Sequence, residues 1–406
     1  MKKLILFVLL FFTVIVPLWS QTKVLFLGNS FTYTYDIPGL FSGLSSAGGF
    51  SVFVDENTQA GMAVANEQIT GHINDPISQA KIISQQWDYI VVQDNQGDYV
   101  NNVGVIPAAC GNANITLYNQ IKANNECTRI IYFAGWGPEG GVATGDNTTS
   151  CINRIHGNML YLNDAIADEI VTPIGKAWIT SLSQLPSVDL YYSDNVHPSL
   201  AGSYLAAATI FTTIFKINPS PLTFTGGVNS ATAQTMRNIA YNTVTLASNM
   251  TGTNLDAFSP VITQNGNVLS IPASYSSYQW YKGNVQVGSN YFSYTVTQSG
   301  DYKVVVTDIN GCTFSSFIKS VTITESELSE QNEQSINFLT LGENMFRVNT
   351  KQECYVFLFD NTGKLVRNFG MVTAENTIDL NSYEKGIYII RIQHQDESYT
   401  QKIILQ

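Results

Sequence analysis

Residues Lys23–Thr32 read KVLFLGNSFT. The first half is a short apolar run of the kind that forms a buried strand, and Gly28-Asn29-Ser30 is a turn signal that ends it. A strand delivered straight into a tight turn presents one small hydroxyl, that of Ser30, at the strand's carboxyl end. Outward from this stretch, to about Met250, the pattern alternates. Further strands are expected at Phe50–Val54, Asp88–Val92, Arg129–Phe133 and Ile170–Ile174. Helical spacing falls over Asn66–Gln86, Ala113–Asn124 and Ile152–Glu169, and a last helix is expected after Pro198. Strands alternating with helices imply a parallel sheet covered on both faces, a three-layer α/β sandwich. Ligands in such sheets bind at the carboxyl ends of strands, which is where Ser30 lies.

A chain of 406 residues exceeds one ordinary core, so two or three domains are expected. Its net charge of −11 repels phosphate backbones, and no run of Lys or Arg offsets it, which excludes nucleic acid as a partner. Residues 1–20 place two lysines before an apolar stretch of about 15 residues and end in the small residue Ser20, the pattern of a secretory signal peptide. A retained membrane anchor is the alternative. No cysteine follows the apolar stretch to carry a lipid, and no other segment is long and apolar enough to span a bilayer. The five cysteines are an odd number, so at least one stays unpaired, and none forms a C-x-x-C pair that would point to zinc. Cys110 and Cys151 begin helices after adjacent strands, and a disulfide between them is expected.

Beyond Phe258 the period changes to two, with frequent turns, as in antiparallel strands. Residues 21–252 are therefore assigned to the α/β domain and 258–325 to a small β-sandwich. Trp280 and Tyr302 sit where an immunoglobulin-like fold places its core tryptophan and corner tyrosine, although Val304 stands where the second cysteine of that fold would be. Residues 326–336 are acidic and polar, a linker. Residues 337–406 form a last β-module with a turn at Asn361-Thr362-Gly363.

A serine hydroxyl is a poor nucleophile until a base takes its proton, and that base needs an orienting carboxylate. Four histidines are present. His394 lies in the last β-module, while His72 and His156 read as surface or packing residues. His197 stands three residues after Asp194 in YYSDNVHPSL, a spacing that lets a carboxylate reach one imidazole nitrogen and leaves the other facing outward. Pro198 is expected to open the following helix. Alone, Asp-x-x-His is a weak signal. Combined with a turn serine after the first strand, it points to acyl transfer. Candidate donors for an oxyanion are the backbone N–H of Ser30, Gly61 after the second strand and Asn95 after the third. Ordinary turn chemistry is the plainer account of Gly61 and Asn95. Trp136, in a loop with five glycines after the fourth strand, suits stacking on a sugar ring or covering an acyl pocket, or else is buried scaffold.

This constellation resembles the SGNH hydrolases, the GDSL-like esterases, over about Lys23–Phe215. The resemblance implies a flavodoxin-like three-layer sandwich with a parallel sheet, followed here by two small all-β sandwich domains. It makes Ser30 the nucleophile, His197 the base and Asp194 its orienter, with Ser30, Gly61 and Asn95 holding the oxyanion, and it calls for no metal or organic cofactor. Asn29 replaces the aspartate of the usual Gly-Asp-Ser turn, and QDNQ (residues 93–96) stands where Gly-x-Asn-Asp is common; GNSFT with D-x-x-H-P-S resembles a divergent branch of the family. Residues 337–406, through FDNTGKLV, GIYIIRI and QKIILQ, resemble the type IX secretion C-terminal sorting domain. That likeness implies partnership with the secretion machinery, passage across the outer membrane, and a secreted or cell-surface product. The expected function is a secreted serine esterase removing O-acetyl groups from carbohydrate. The alternatives are a hydrolase of lipid or aryl esters and an inactive surface carbohydrate-binding or adhesion protein.

Overall fold

The structure, a computed structural model, describes residues 21–65, 71–166, 169–246, 249, 260–323, 336–342, 344–394 and 397–405. The expected signal peptide and nearly all of the 326–336 linker lie outside the described residues. Among the described residues, one compact unit takes in those up to Gln264, Val268–Thr295 and Gly300–Ser320, and a second takes in Asn265–Asn267, Val296–Ser299 and those from Val321 onward.

Five strands build the α/β sheet of the first unit: β1 (Thr22–Gly28), β2 (Val52–Thr58), β3 (Tyr89–Val92), β4 (Arg129–Phe133) and β5 (Ile170–Thr172). They pair in parallel in the order β2-β1-β3-β4-β5, the flavodoxin-like arrangement. Successive side chains of a strand leave by opposite faces. Val24, Phe26, Ile131 and Phe133 therefore join one buried core with Phe41, Trp178 and Phe211. Leu25, Leu27, Ile130 and Tyr132 join a second with Leu117, Ile155 and Met159. Helices α2 (Ile37–Ala47), α6 (Ile174–Gln184), α7 (Leu200–Phe215) and α8 (Ser230–Thr245) supply the first core; α3 (Pro76–Ser84), α4 (Ala108–Asn124) and α5 (Thr148–Ile166) supply the second. A four-residue helix, α1 (Ser30–Tyr33), follows β1 directly.

Several expectations need correction. Strand β2 runs on through Asp55-Glu56-Asn57, because an edge strand tolerates polar residues that a central strand does not. Of the helix expected over Asn66–Gln86, residues 66–70 lie outside the described residues, and the described part is helical only over Pro76–Ser84: Asp75 caps it and Pro76 takes its first position. The helix that Pro198 was expected to open begins two residues later, at Leu200 with Ser199 as its cap, while Pro198 forms an isolated bridge with Tyr191. It is also not the last, since α8 follows it.

The rest of the first unit is antiparallel. Strand Ser277–Lys282 pairs with Gly300–Thr307, which pairs with Thr313–Ser315. Trp280 and Tyr302 are buried, with Val304 directly opposite Trp280. The expected Cys110–Cys151 disulfide is absent: both thiols are free and buried, and Cys127 pairs with Cys312 instead. Cys151 is packed against Gly137, and burial pushes the Cys110 thiol up to about 12, so it stays protonated and inert. In the second unit, Met345–Asp360 pairs with Ile336–Gly342, Leu365–Asp379 and Gly386–His394, and Gly386–His394 with Glu397–Leu405, all antiparallel. Val348, Val356, Leu358, Ile390 and Ile392 form its core. No helix among the described residues is long and apolar enough to cross a membrane.

His72 and His156 are both buried, and burial lowers each ring to about 4, aided at His156 by the nearby Lys176 charge. The unfolded rings titrate near 6.5. Between those values the unfolded chain binds protons that the folded chain refuses, so stability falls as pH drops from about 6.5 to about 4. The loss is about 3 kcal/mol per ring, offset in part by Asp88 and Asp94, whose buried carboxyls are raised. Urea unfolding at pH 7 and pH 4.5 should show the lower midpoint at pH 4.5, and equal midpoints would contradict this.

Candidate active site

The site starts where β1 runs out. Asn29 is extended (φ −132°, ψ −151°) and caps α1 through its side-chain oxygen, which accepts from Phe31 N–H at 3.0 Å. Ser30 is thereby the first residue of α1, half-buried at the carboxyl edge of the sheet. The neighbouring strands β1 and β3 are also where the strand order reverses, so a crevice opens there.

The Asp194–His197 loop reaches the same edge. Asp194 Oδ1 accepts from the backbone N–H of Val196 at 3.0 Å and of His197 at 2.9 Å, and Asn195 takes a left-handed conformation (φ 61°) to close the turn. This local wrap leaves Oδ2 for the imidazole. His197 Nδ1 lies 2.5 Å from Asp194 Oδ2, and His197 Nε2 lies 2.8 Å from Ser30 Oγ. A carboxylate on Nδ1 fixes the tautomer with the proton there, so Nε2 is the acceptor facing the serine hydroxyl. The hydrogen bond from His197, then those from the two backbone N–H groups, hold the Asp194 carboxyl down to about 2, so it remains ionised through the acid range. The structure therefore brings together Ser30, His197 and Asp194, which lie up to 167 residues apart in the chain.

Trp136 is placed differently from a sugar-stacking residue. It is 0% exposed and stacks on Trp178 at 4.1 Å between centroids. A buried indole N–H needs an acceptor, and Nε1 finds it in Val196 O at 3.1 Å. Glu139 N–H donates to Asn195 O at 2.9 Å. The loop after β4 thus clamps the Asp194–His197 turn from beneath, and Phe31 lies between Trp136 (5.3 Å) and His197 (5.7 Å).

Gly61 is exposed with φ 66°, a conformation that glycine adopts at no steric cost. Its loop is tied to the Gly28–Ser30 turn, since Asn29 Nδ2 donates to Met62 O at 2.7 Å and Gln59 N–H donates to Gly28 O at 3.2 Å. Asn95 caps a single turn of 3₁₀ helix after β3, and its Nδ2 donates to Asp98 Oδ2 at 3.0 Å. An amide carries two N–H donors, and Asp98 takes one.

Two residues that the sequence reading passed over organise these loops. Gln93 is fully buried; its Oε1 accepts from Asn29 N–H at 2.8 Å and Thr32 Oγ1–H at 3.0 Å. A Cβ on Gly28 would stand 2.5 Å from Thr32 Oγ1 and 2.9 Å from Gln93 Oε1, so only glycine fits between them. Asp94, also buried, accepts from Val64 N–H (2.7 Å), Asn95 N–H (2.8 Å), Tyr99 OH (2.5 Å) and Asn114 Nδ2 (2.9 Å). It joins the loop after β2 to the loop after β3. The only sequence signal for either residue was the departure of QDNQ from the common pattern.

Asn29 is needed as an amide, because it donates to Met62 O while accepting from Phe31 N–H. A carboxylate cannot donate, and it would face a carbonyl oxygen in a 4% exposed position. Asn29→Asp should therefore destabilise the protein by about 1–3 kcal/mol, read as a lower urea midpoint at pH 7. An unchanged midpoint would contradict this reading of the turn.

A hydroxyl facing an imidazole nitrogen, with a carboxylate on the far side of the ring, can generate an alkoxide-like nucleophile without other help. Residues 342–406 match the secretion system C-terminal sorting domain family, a type IX signal for export to the cell surface or beyond. No curated protein matches the sequence. Among solved structures, a DUF4886-family protein from Bacteroides uniformis is similar at 17% identity and TM-score 0.48, over 57% of this chain and 98% of that one. A candidate SGNH hydrolase from Slackia heliotrinireducens is similar at 22% identity and TM-score 0.36, over 48% and 99%. A carbohydrate acetylesterase from Sinorhizobium meliloti is similar at 12% identity and TM-score 0.35, over 48% and 98%.

Proposed function

We propose that the chain is an exported serine esterase that removes O-acetyl groups from carbohydrate. The observation that carries the reading is the line Asp194 Oδ2–His197 Nδ1 (2.5 Å) and His197 Nε2–Ser30 Oγ (2.8 Å) at the carboxyl edge of the parallel sheet. Ser30 Oγ attacks the ester carbonyl carbon as its proton passes to His197 Nε2. The oxyanion is held by Ser30 N–H, Gly61 N–H and the Asn95 amide. The tetrahedral intermediate collapses, the C–O bond to the sugar breaks, and the sugar oxygen takes the proton from His197. Water then attacks the acyl-enzyme, giving its proton to His197 and releasing acetate and free Ser30. Asp194 stays ionised throughout and stabilises the imidazolium.

The choice of carbohydrate rests on export and on an open site. His197 and Asp194 side chains are 34% and 42% exposed, which lets a polymer reach the serine. Val268–Thr295 and Gly300–Ser320, most of the 258–325 β-sandwich read as an immunoglobulin-like module, fall in the same compact unit as the α/β sheet. Acetate release from acetylated xylan, mannan and pectin, compared with release of long acyl chains from lipid esters, tests the assignment. Acetate from at least one glycan and little from lipid is expected; lipid preference would overturn the substrate class, and release from no ester would overturn the reaction.

A further inference from the structure

The two loops that carry the catalytic line also carry aromatic rings into solvent. Tyr35, five residues after Ser30, is 43% exposed, and Tyr192, two residues before Asp194, is 49% exposed. Their ring centroids are 6.5 Å apart and the planes meet at 56°, so the rings form an open wedge rather than a closed stack. Exposed aromatic rings are costly to leave unpaired with an apolar partner, and here two come from different elements to one place.

The backbone beneath them is built for that presentation. Tyr35 and Asp36 are consecutive left-handed residues (φ 56° and 54°), a conformation that side chains other than glycine seldom adopt. Surrounding bonds hold it in place. Asp36 N–H donates to Tyr33 O at 2.9 Å, Asp36 Oδ1 caps α2 by accepting from Gly39 N–H at 2.8 Å, and Thr34 O accepts from Ser203 Oγ–H at 2.9 Å. Tyr192 is fixed from the other side, its N–H donating to His197 O at 2.8 Å and its carbonyl accepting from Asn195 N–H at 2.9 Å. A strained backbone kept by several bonds, beside a reactive group, is the usual setting of a ligand clamp.

We infer that Tyr35 and Tyr192 form a sugar-binding platform that seats a neutral pyranose ring of the substrate glycan against the Ser30 edge of the site. A pyranose offers an apolar face of C–H groups to an aromatic ring and a rim of hydroxyls to water, which matches rings that are exposed but anchored. The adjoining carboxylates of Asp36 and Asp194 disfavour a uronate ring, which sets the class as neutral hexose or pentose. The inference rests on the esterase reading for its substrate but not for its test.

The test uses the full chain carrying Ser30→Ala, so that no turnover is needed. Affinity electrophoresis and titration calorimetry are run with xylan-, mannan- and cellulose-derived hexasaccharides. Binding to at least one probe is expected. Adding Tyr35→Leu or Tyr192→Leu should weaken it about 3- to 10-fold, whereas Tyr35→Phe and Tyr192→Phe should retain it, because the ring and not the hydroxyl makes the contact. Binding to none of the probes, or equal binding by the Leu variants, would overturn the platform. Aryl acetate hydrolysis by the unsubstituted chain reports separately on the esterase reading, so that either can fail without the other.

Discussion

Ser30→Ala is expected to lower kcat/KM for a short-chain aryl acetate by about 10⁴- to 10⁶-fold, or about 5–8 kcal/mol of transition-state stabilisation. The size follows from chemistry rather than from packing. In the proposed mechanism alanine removes the atom that accepts the acyl group, while the half-buried position and the cap at Asn29 remain. His197→Ala should cost nearly as much, since the hydroxyl then has no base at 2.8 Å. The double variant should be little worse than either single one, because the residues act as a unit. Asp194→Asn should cost less than either, since the carboxylate is 42% exposed and solvent shares its work. Initial rates on 4-nitrophenyl acetate read all four. Full activity in Ser30→Ala would end the serine mechanism.

Among substitutions, the largest effect on stability is expected from the Cys127–Cys312 disulfide. It joins the turn before β4 to the turn before strand Thr313–Ser315, across 185 residues. Closing so long a loop removes much of the freedom of the unfolded chain, a contribution of about 2–5 kcal/mol. Next to it the Arg129 guanidinium lies 4.1 Å from the centre of the Phe314 ring, a contact that holds the same seam by a separate force. Replacing both cysteines by alanine should lower the unfolding free energy of the first unit by that amount, read as a lower urea midpoint, with the rate of aryl acetate hydrolysis under native conditions largely kept. Thiol titration of the unfolded, unreduced chain should find Cys110, Cys151 and Cys354 reactive and the other two blocked. An unchanged midpoint in the double variant would contradict the first expectation, and five reactive thiols the second.

The strands were legible in the sequence because β-branched runs between turns leave a local trace: Arg129–Phe133 matches β4 at both ends, and Lys23–Leu27 lies one residue inside β1 at each end. Helix α2 was not legible, since IPGLFSGLSSA carries two glycines and three serines that mask its apolar stripe. Helix α6 was hidden because Ile174 continued the apolar run of β5. The Asp194–His197 pair was legible because its geometry is closed within one turn. Gln93 was not, because its partner Asn29 is 64 residues away and a buried glutamine has no local signature. Pairing of cysteines depends on tertiary position, which is why Cys110–Cys151 was expected and Cys127–Cys312 is found. Exposure separates Trp136 from Tyr35 and Tyr192, and exposure is not written in residue type: the tryptophan could be read as a sugar platform or as buried scaffold, and it lies buried beneath the Asp194–His197 turn, whereas Tyr35 and Tyr192 stand exposed.

The most direct measurement is covalent capture. The full chain is treated with a fluorophosphonate, digested, and the modified peptide sequenced by mass spectrometry, with His197→Ala treated in parallel. The expected result is a single adduct on Ser30 that forms rapidly in the unsubstituted chain and is nearly abolished without His197. An adduct on another residue, or labelling of Ser30 at the same rate in His197→Ala, would contradict the claim that the imidazole 2.8 Å away activates this hydroxyl.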